Sequence, residues 1–186
     1  MPWVLVIVVV LIVLVALWVV ASYNGFVKLR NIVEESWKQI DVELHRRYDL
    51  IPNLVETVKG YASHERGTFE AVTQARAAAS SPGSTPAEQA QQENMLTGAL
   101  RQLFAVAEAY PDLKANQNFL ELQTQLTETE DRIAAGRRFY NANVRSLNTK
   151  VQSFPSNVIA GMFHFKEAEY FEAEDPTVRR APEVHF

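Results

Sequence analysis

Residues 3–21 run for nineteen positions without a polar side chain, and this one stretch constrains the chain more than any other feature. As a helix it reaches about 28 Å, close to the hydrocarbon thickness of a bilayer. Val and Ile dominate it. That matters little in lipid, where an intrasegment hydrogen-bond ladder is what satisfies the backbone. Trp3 and Trp18 near its ends, with Tyr23 following, suit interfacial belts. A cleaved signal peptide is the competing reading, since Val19-Val20-Ala21 loosely resembles a cleavage site. Only Met-Pro precedes the run, however, and the run exceeds an ordinary signal core, so an uncleaved anchor is expected. The nearby basic residues Lys28, Arg30, Lys38, Arg46 and Arg47 all lie on the C-terminal flank. The positive-inside rule then puts the N-terminus outside and the following domain in the cytoplasm.

Beyond the anchor the apolar positions Phe26, Leu29, Val33, Trp37, Ile40, Leu44, Tyr48, Ile51, Val55, Val58 and Ala62 are spaced by three and four. That is one face of a long helix. Pro52 lacks an N–H and crowds the Tyr48 carbonyl, yet the apolar phase continues across it, which predicts a kink in a continuing helix. A loop is expected at residues 80–86, with Thr85 capping the next helix, Pro86 at its first position and Glu88 three residues on. That helix carries Leu96, Leu100, Leu103, Ala107 and Tyr110 up to Pro111. A second long helix is expected from about Asp112, with a seam of Phe119, Leu122, Leu126, Glu130, Ile133, Arg137, Tyr140, Val144, Leu147, Val151 and Phe154, ending at Pro155.

With seven Gly and no convincing strand alternation, the fold class is all-α: an N-terminal transmembrane helix followed by an up-and-down bundle of three or four long helices. The expected organisation is an anchor at 1–22, a bundle domain at 23–155 and an aromatic, acidic tail at 156–186. The tail gathers Val158, Ile159, Met162, Phe163, Phe165, Tyr170 and Phe171 among Glu167, Glu169, Glu172 and Glu174, and is expected to fold back on the bundle. Its acidity disfavours an anionic membrane surface, leaving an oligomer or partner contact as the other reading.

The chemistry-bearing residues form no recognisable catalytic set. Twenty-two acidic and 18 basic residues are mixed along the chain, with no basic block to track a phosphate backbone, so nucleic acid is not an expected partner. The absence of Cys excludes disulfides, thiolate metal sites and thiol catalysis. His45, His64, His164 and His185 are scattered singly, and His64-Glu65 lacks the second His of a zinc peptidase helix. No phosphate-cradling Gly loop or nucleophile elbow occurs, and no cofactor is implied. Glu130 and Arg137 stand where apolar seam residues are expected. They are read as buried structural charges, each met by a facing charge such as Arg47 or Asp49, with a ligand or switch site as the alternative.

Several runs then resemble the LemA family of bacterial membrane proteins. They are Tyr23-Asn24-x-Phe26-Val27-x-Leu29-Arg30-Asn31, Arg46-Arg47-Tyr48-Asp49-Leu50-Ile51-Pro52-Asn53-Leu54-Val55, Glu108-x-Tyr110-Pro111-Asp112-Leu113-Lys114-Ala115-Asn116, and Thr129-Glu130-x-Arg132-Ile133-Ala134 with Arg137-Arg138-x-Tyr140-Asn141. The resemblance implies a single-pass protein of the bacterial inner membrane with a long-helical domain, and names no catalytic residues. The structural or interaction candidates are Arg47, Asp49, Pro52, Glu130, Arg137, Tyr140 and Asn141. The expected role is a membrane-tethered scaffold or assembly protein whose protein partner the sequence does not name. The alternatives are a membrane-shaping homo-oligomer, or a sensor or enzyme with a polar site in the seam.

Overall fold

The computed structural model describes residues 2–172, so the expectations that rest on Glu174 and His185 lie outside the described residues. Six helices and no strand occur among the described residues: α1 (Pro2–Lys59), α2 (Arg66–Ala79), α3 (Pro86–Glu108), α4 (Pro111–Lys114), α5 (Gln117–Gln152) and α6 (Ser156–Met162). The all-α helical fold expected from the periodicity is the fold found. α1 carries one apolar window of membrane-spanning length near its N-terminus, none of it buried against protein.

Local chemistry sets the helix boundaries. α1 continues through Pro52 to Lys59, so no chain reversal occurs there. Because Pro52 has no N–H, the carbonyl of Tyr48 loses its usual donor. Arg76 of α2 replaces that donor, its Nε donating to Tyr48 O at 2.7 Å. At the start of α3, the Thr85 hydroxyl accepts from the Glu88 N–H while the Glu88 carboxylate accepts from the Thr85 N–H, a complete capping box with Pro86 in the first turn. The last long helix begins at Gln117, not near Asp112. Pro111 starts only the single turn of α4, and the chain restarts where Asn116 Oδ1 accepts the Phe119 N–H at 3.0 Å.

The chain divides into two compact units, Met1–Gln39 with Gly136–Ala168, and Ile40–Ala135 with Glu169–Phe186. The described core of the second is built from Ile40, Leu44, Ile51, Leu54 and Val58 of α1, Phe69 and Val72 of α2, Leu96, Leu100 and Leu103 of α3, Leu113 of α4, and Phe119 and Leu126 of α5. α2 packs along α3 within it.

In the first unit, Phe26 and Val33 of α1 are buried together with Tyr140, Val144 and Leu147 of α5 and Ile159 and Ala160 of α6. Here the two long helices run antiparallel, since Trp37 meets Tyr140 with ring centroids 5.4 Å apart and Lys150 Nζ donates to Ser22 O at 3.2 Å. α6 ends in a Schellman closure. His164 takes a left-handed φ of 57°, its N–H reaches Gly161 O, and the Phe165 N–H donates to Ala160 O at 2.9 Å. This turns Phe165 back to stack on Phe26, centroids 4.8 Å apart. Asn148 then fixes the following chain with both ends of its amide, donating to Ala168 O at 2.9 Å and accepting from Ala168 N at 2.8 Å.

Candidate functional site

The densest polar constellation is buried in the second unit. Arg47 points inward from α1 and is 1% exposed, although it neighbours the half-exposed Arg46. Its Nη1 donates to Glu93 Oε2 at 3.1 Å and its Nη2 donates to Thr97 Oγ1 at 2.8 Å. Its Nε lies 3.0 Å from Glu130 Oε1, an ion pair whose N–H is not aligned for a hydrogen bond. Thr97 completes its own valence by donating to Glu93 O at 2.9 Å. One guanidinium thus joins two turns of α3 to α5.

Tyr48, the next residue, extends the cluster. Its hydroxyl donates to Glu93 Oε1 and also lies 3.0 Å from Ala79 O, the last carbonyl of α2. Gln89 Nε2 donates to the same Ala79 O at 2.8 Å, with Tyr48 OH and Glu93 Oε1 each 2.9 Å away. Burial and the adjacent Glu93 carboxylate push the Tyr48 phenol far above its usual range. Burial, with the negative Glu93 and Asp131 nearby, also raises the Glu130 carboxyl, against the opposing pull of Arg47. The side chains of Arg47 and Glu93 are almost sealed, whereas Glu130 remains 38% exposed and closes the cluster at its solvent edge.

Beside the Arg47–Glu130 pair lies a cavity of about 310 Å³, walled mainly by Thr97, Leu100, Phe104 and Leu126. Its size and mixed lining suit a small amphiphile. Among the described residues, no group of three or more His, Asp or Glu side chains could hold a metal ion.

Of the sequence candidates, the structure brings Arg47 and Glu130 together and gives Pro52 a role through Tyr48 and Arg76. Asp49 is exposed and is not the charge that meets Glu130. Arg137 is exposed as well, contrary to the expected burial. The reason is a choice of phase. From Leu126 a helix seam can step by three or by four, and the buried step is Thr129, fully enclosed, with its hydroxyl donating to Gln125 O at 2.8 Å. Glu130 then flanks the seam, and Arg137 lies outside it. Tyr140 is buried against Trp37 in the first unit, and Asn141 on the same helix is half-buried.

Gln89, Glu93, Thr97 and Arg76 were missed by sequence reasoning. A signal existed for two of them: stepping back from Leu96 by three and then four reaches Glu93 and Gln89, in phase with Leu100 and Leu103.

Comparison with known proteins gives a consistent picture. The LemA family profile matches residues 36–186. Protein LemA of Metamycoplasma hominis is 28% identical over 159 residues, covering 84% of this chain and 71% of that one. Magnetosome protein MamQ 2 of Paramagnetospirillum magneticum is 29% identical over 175 residues, covering 81% of this chain and 64% of the relative. Magnetosome protein MamQ of Magnetospirillum gryphiswaldense is 26% identical, with 80% and 64% covered. The match thus spans somewhat less than two thirds of the length of the magnetosome relatives.

Proposed function

The chain belongs to the LemA family, and from that premise we propose that it is a membrane-anchored helical scaffold that acts through its helix faces, with the domain beyond the anchor in the cytoplasm. The observation that carries the reading is that the dense polar cluster among the described residues is spent mainly on joining α1, α2, α3 and α5 to one another. Arg47 faces two carboxylates and a hydroxyl, while Tyr48 and Gln89 are consumed by Glu93 and by the end of α2. Groups committed to one another in this way lock helices together. The apolar run of α1 supplies the tether, and magnetosome proteins among the relatives are compatible with an assembly task. The basic residues Lys28, Arg30 and Lys38 on the C-terminal flank support the cytoplasmic side.

Crosslinking in native membranes followed by mass spectrometry tests the scaffold. A small, reproducible set of foreign membrane-associated proteins joined to exposed faces of α2, α3 or α5 is expected. Crosslinks only between copies of this chain would replace the scaffold with a homo-oligomer. Recovery of neither would overturn the reading. Reporters fused after Phe186 test sidedness, and activity of an export-dependent reporter alone would reverse it.

A further inference from the structure

α6 and its flanks carry two apolar faces, and among the described residues only one is covered by protein. Ile159 and Ala160 are 2% exposed, but Val158 and Met162, four residues apart on the opposite side of α6, are 52% and 64% exposed. Phe154 before the helix is 83% exposed, although the sequence placed it in the α5 seam, and Phe163 after it is 45% exposed. Residues 153–163 contain no charged side chain, while Lys150 and Lys166 flank them. A helix apolar on both sides suits a protein core or a lipid phase, and this one is open on one side.

Its position along α1 decides between these environments. Tyr140 lies at the level of Trp37. Fourteen residues of antiparallel α5 and chain bring Phe154 down by about 21 Å, and fourteen residues of α1 in the opposite direction lead from Trp37 to Tyr23. Phe154 therefore reaches the end of the apolar run. Direct contacts agree: Phe163 and Phe165 pack edge-on against Tyr23, with centroids 4.9 and 5.5 Å away, and Lys150 reaches Ser22, the first polar residue after the run. Lys150 also sits 4.6 Å above the Phe26 ring, an amphipathic placement typical of the headgroup layer. Within the run, Val19 is the one described residue that is partly covered.

We propose that residues 154–163 are a second membrane element, lying in the interfacial layer of the leaflet from which α1 emerges, with Phe154, Val158, Met162 and Phe163 inserted among the upper acyl chains. The inference rests on α1 being a bilayer span. Insertion is apolar and not electrostatic, because the acidic residues begin only at Glu167. It therefore extends to neutral lipid. The expectation that the acidic tail avoids the membrane is replaced, for this segment alone, by its position beside Ser22 and Tyr23.

Since the chain has no Cys, single labelling sites are unambiguous. The full chain carrying Leu11→Cys, Ala142→Cys, Val158→Cys or Met162→Cys is nitroxide-labelled and reconstituted in phosphatidylcholine vesicles. Collision with oxygen is then compared with collision with a water-soluble nickel complex. Leu11 should be deepest, and the oxygen-to-nickel ratio at Val158 and Met162 should exceed that at Ala142 severalfold. Adding Met162→Glu should bring the Val158 label back towards the Ala142 value, and no change would count against the proposal. Val158 and Met162 matching Ala142 while Leu11 stays deep would overturn the proposal and leave the anchor intact. A water-exposed Leu11 would overturn the anchor and the proposal together. Labels shielded from both agents, with spin–spin broadening that disappears on dilution by unlabelled chain, would assign the face to a second copy and reject lipid.

Discussion

Pro52 and Arg76 should be energetically coupled through a carbonyl that belongs to neither. Pro52 deprives Tyr48 O of its helical donor, and Arg76 Nε supplies the missing hydrogen bond at 2.7 Å. Arg76→Ala leaves that half-buried carbonyl without a partner. A hydrogen bond to a charged group is worth about 1.5–3 kcal/mol, and partial solvent access favours the lower end. Arg76→Ala alone should therefore cost about 1.5–2 kcal/mol. In a Pro52→Ala background a backbone N–H returns opposite Tyr48 O. The same Arg76→Ala change should then cost only about 0.5 kcal/mol, mostly lost packing of the side-chain stem. The coupling is thus about 1 kcal/mol, and the Arg76→Ala melting temperature should fall by roughly 3–8 °C in the native background. Thermal melts of the four proteins in the same lipid nanodiscs, followed by circular dichroism, complete a double-mutant cycle. An Arg76→Ala cost that is equal in the two backgrounds to within about 0.3 kcal/mol would refute the substitution of Arg76 for the missing N–H.

Glu93→Ala should destabilise by about 3 kcal/mol, the low end for breaking a buried ion pair because Glu130 still faces Arg47, whereas the more exposed Glu130 should lose about 1 kcal/mol on truncation and Arg137→Ala under about 0.5 kcal/mol. Chemical denaturation of the three variants under one condition checks the order. The raised Tyr48 phenol contributes stability that is intact below about pH 10 and is lost above it, as the unfolded chain releases a proton the native chain keeps. Relative to Tyr48→Phe, the native protein should lose about 1.4 kcal/mol in total between about pH 9 and 11, most of it above pH 10, read from denaturation midpoints across that range. His164→Gly removes a side chain from a left-handed position and should raise stability by about 0.5–1 kcal/mol in the same assay.

The helical class, the long apolar N-terminal helix, the continuation through Pro52 and the Thr85 cap were legible because each depends on local spacing or on a single residue's chemistry. The α5 seam was harder. At 3.6 residues per turn, Thr129 and Glu130 both follow Leu126 acceptably, and only packing against other helices selects the small Thr side chain. The same ambiguity displaced the expected burial of Arg137. Arg47 and Glu130 could be nominated as charges near an apolar face, but their geometry depends on Glu93 and Thr97, which lie about fifty residues from Arg47 in sequence. Arg76 was invisible for a related reason: a proline announces the donor it lacks and says nothing about which distant side chain replaces it.

The two helix ends on either side of residues 82–84 are closed by groups outside that short stretch, with Ser80 N donating to Arg76 O and Ser81 N to Ala78 O. Ala79 O accepts from Gln89, Thr85 and Glu88 cap each other, and Gly83 makes the turn with a φ of 92°. The segment consequently bears little mechanical strain, and its length is free to change while both anchor points keep their partners. It is the place where a fluorescent reporter, an affinity tag or an entire guest domain can enter this protein, and where lineages can lengthen or shorten the chain without disturbing the helices on either side.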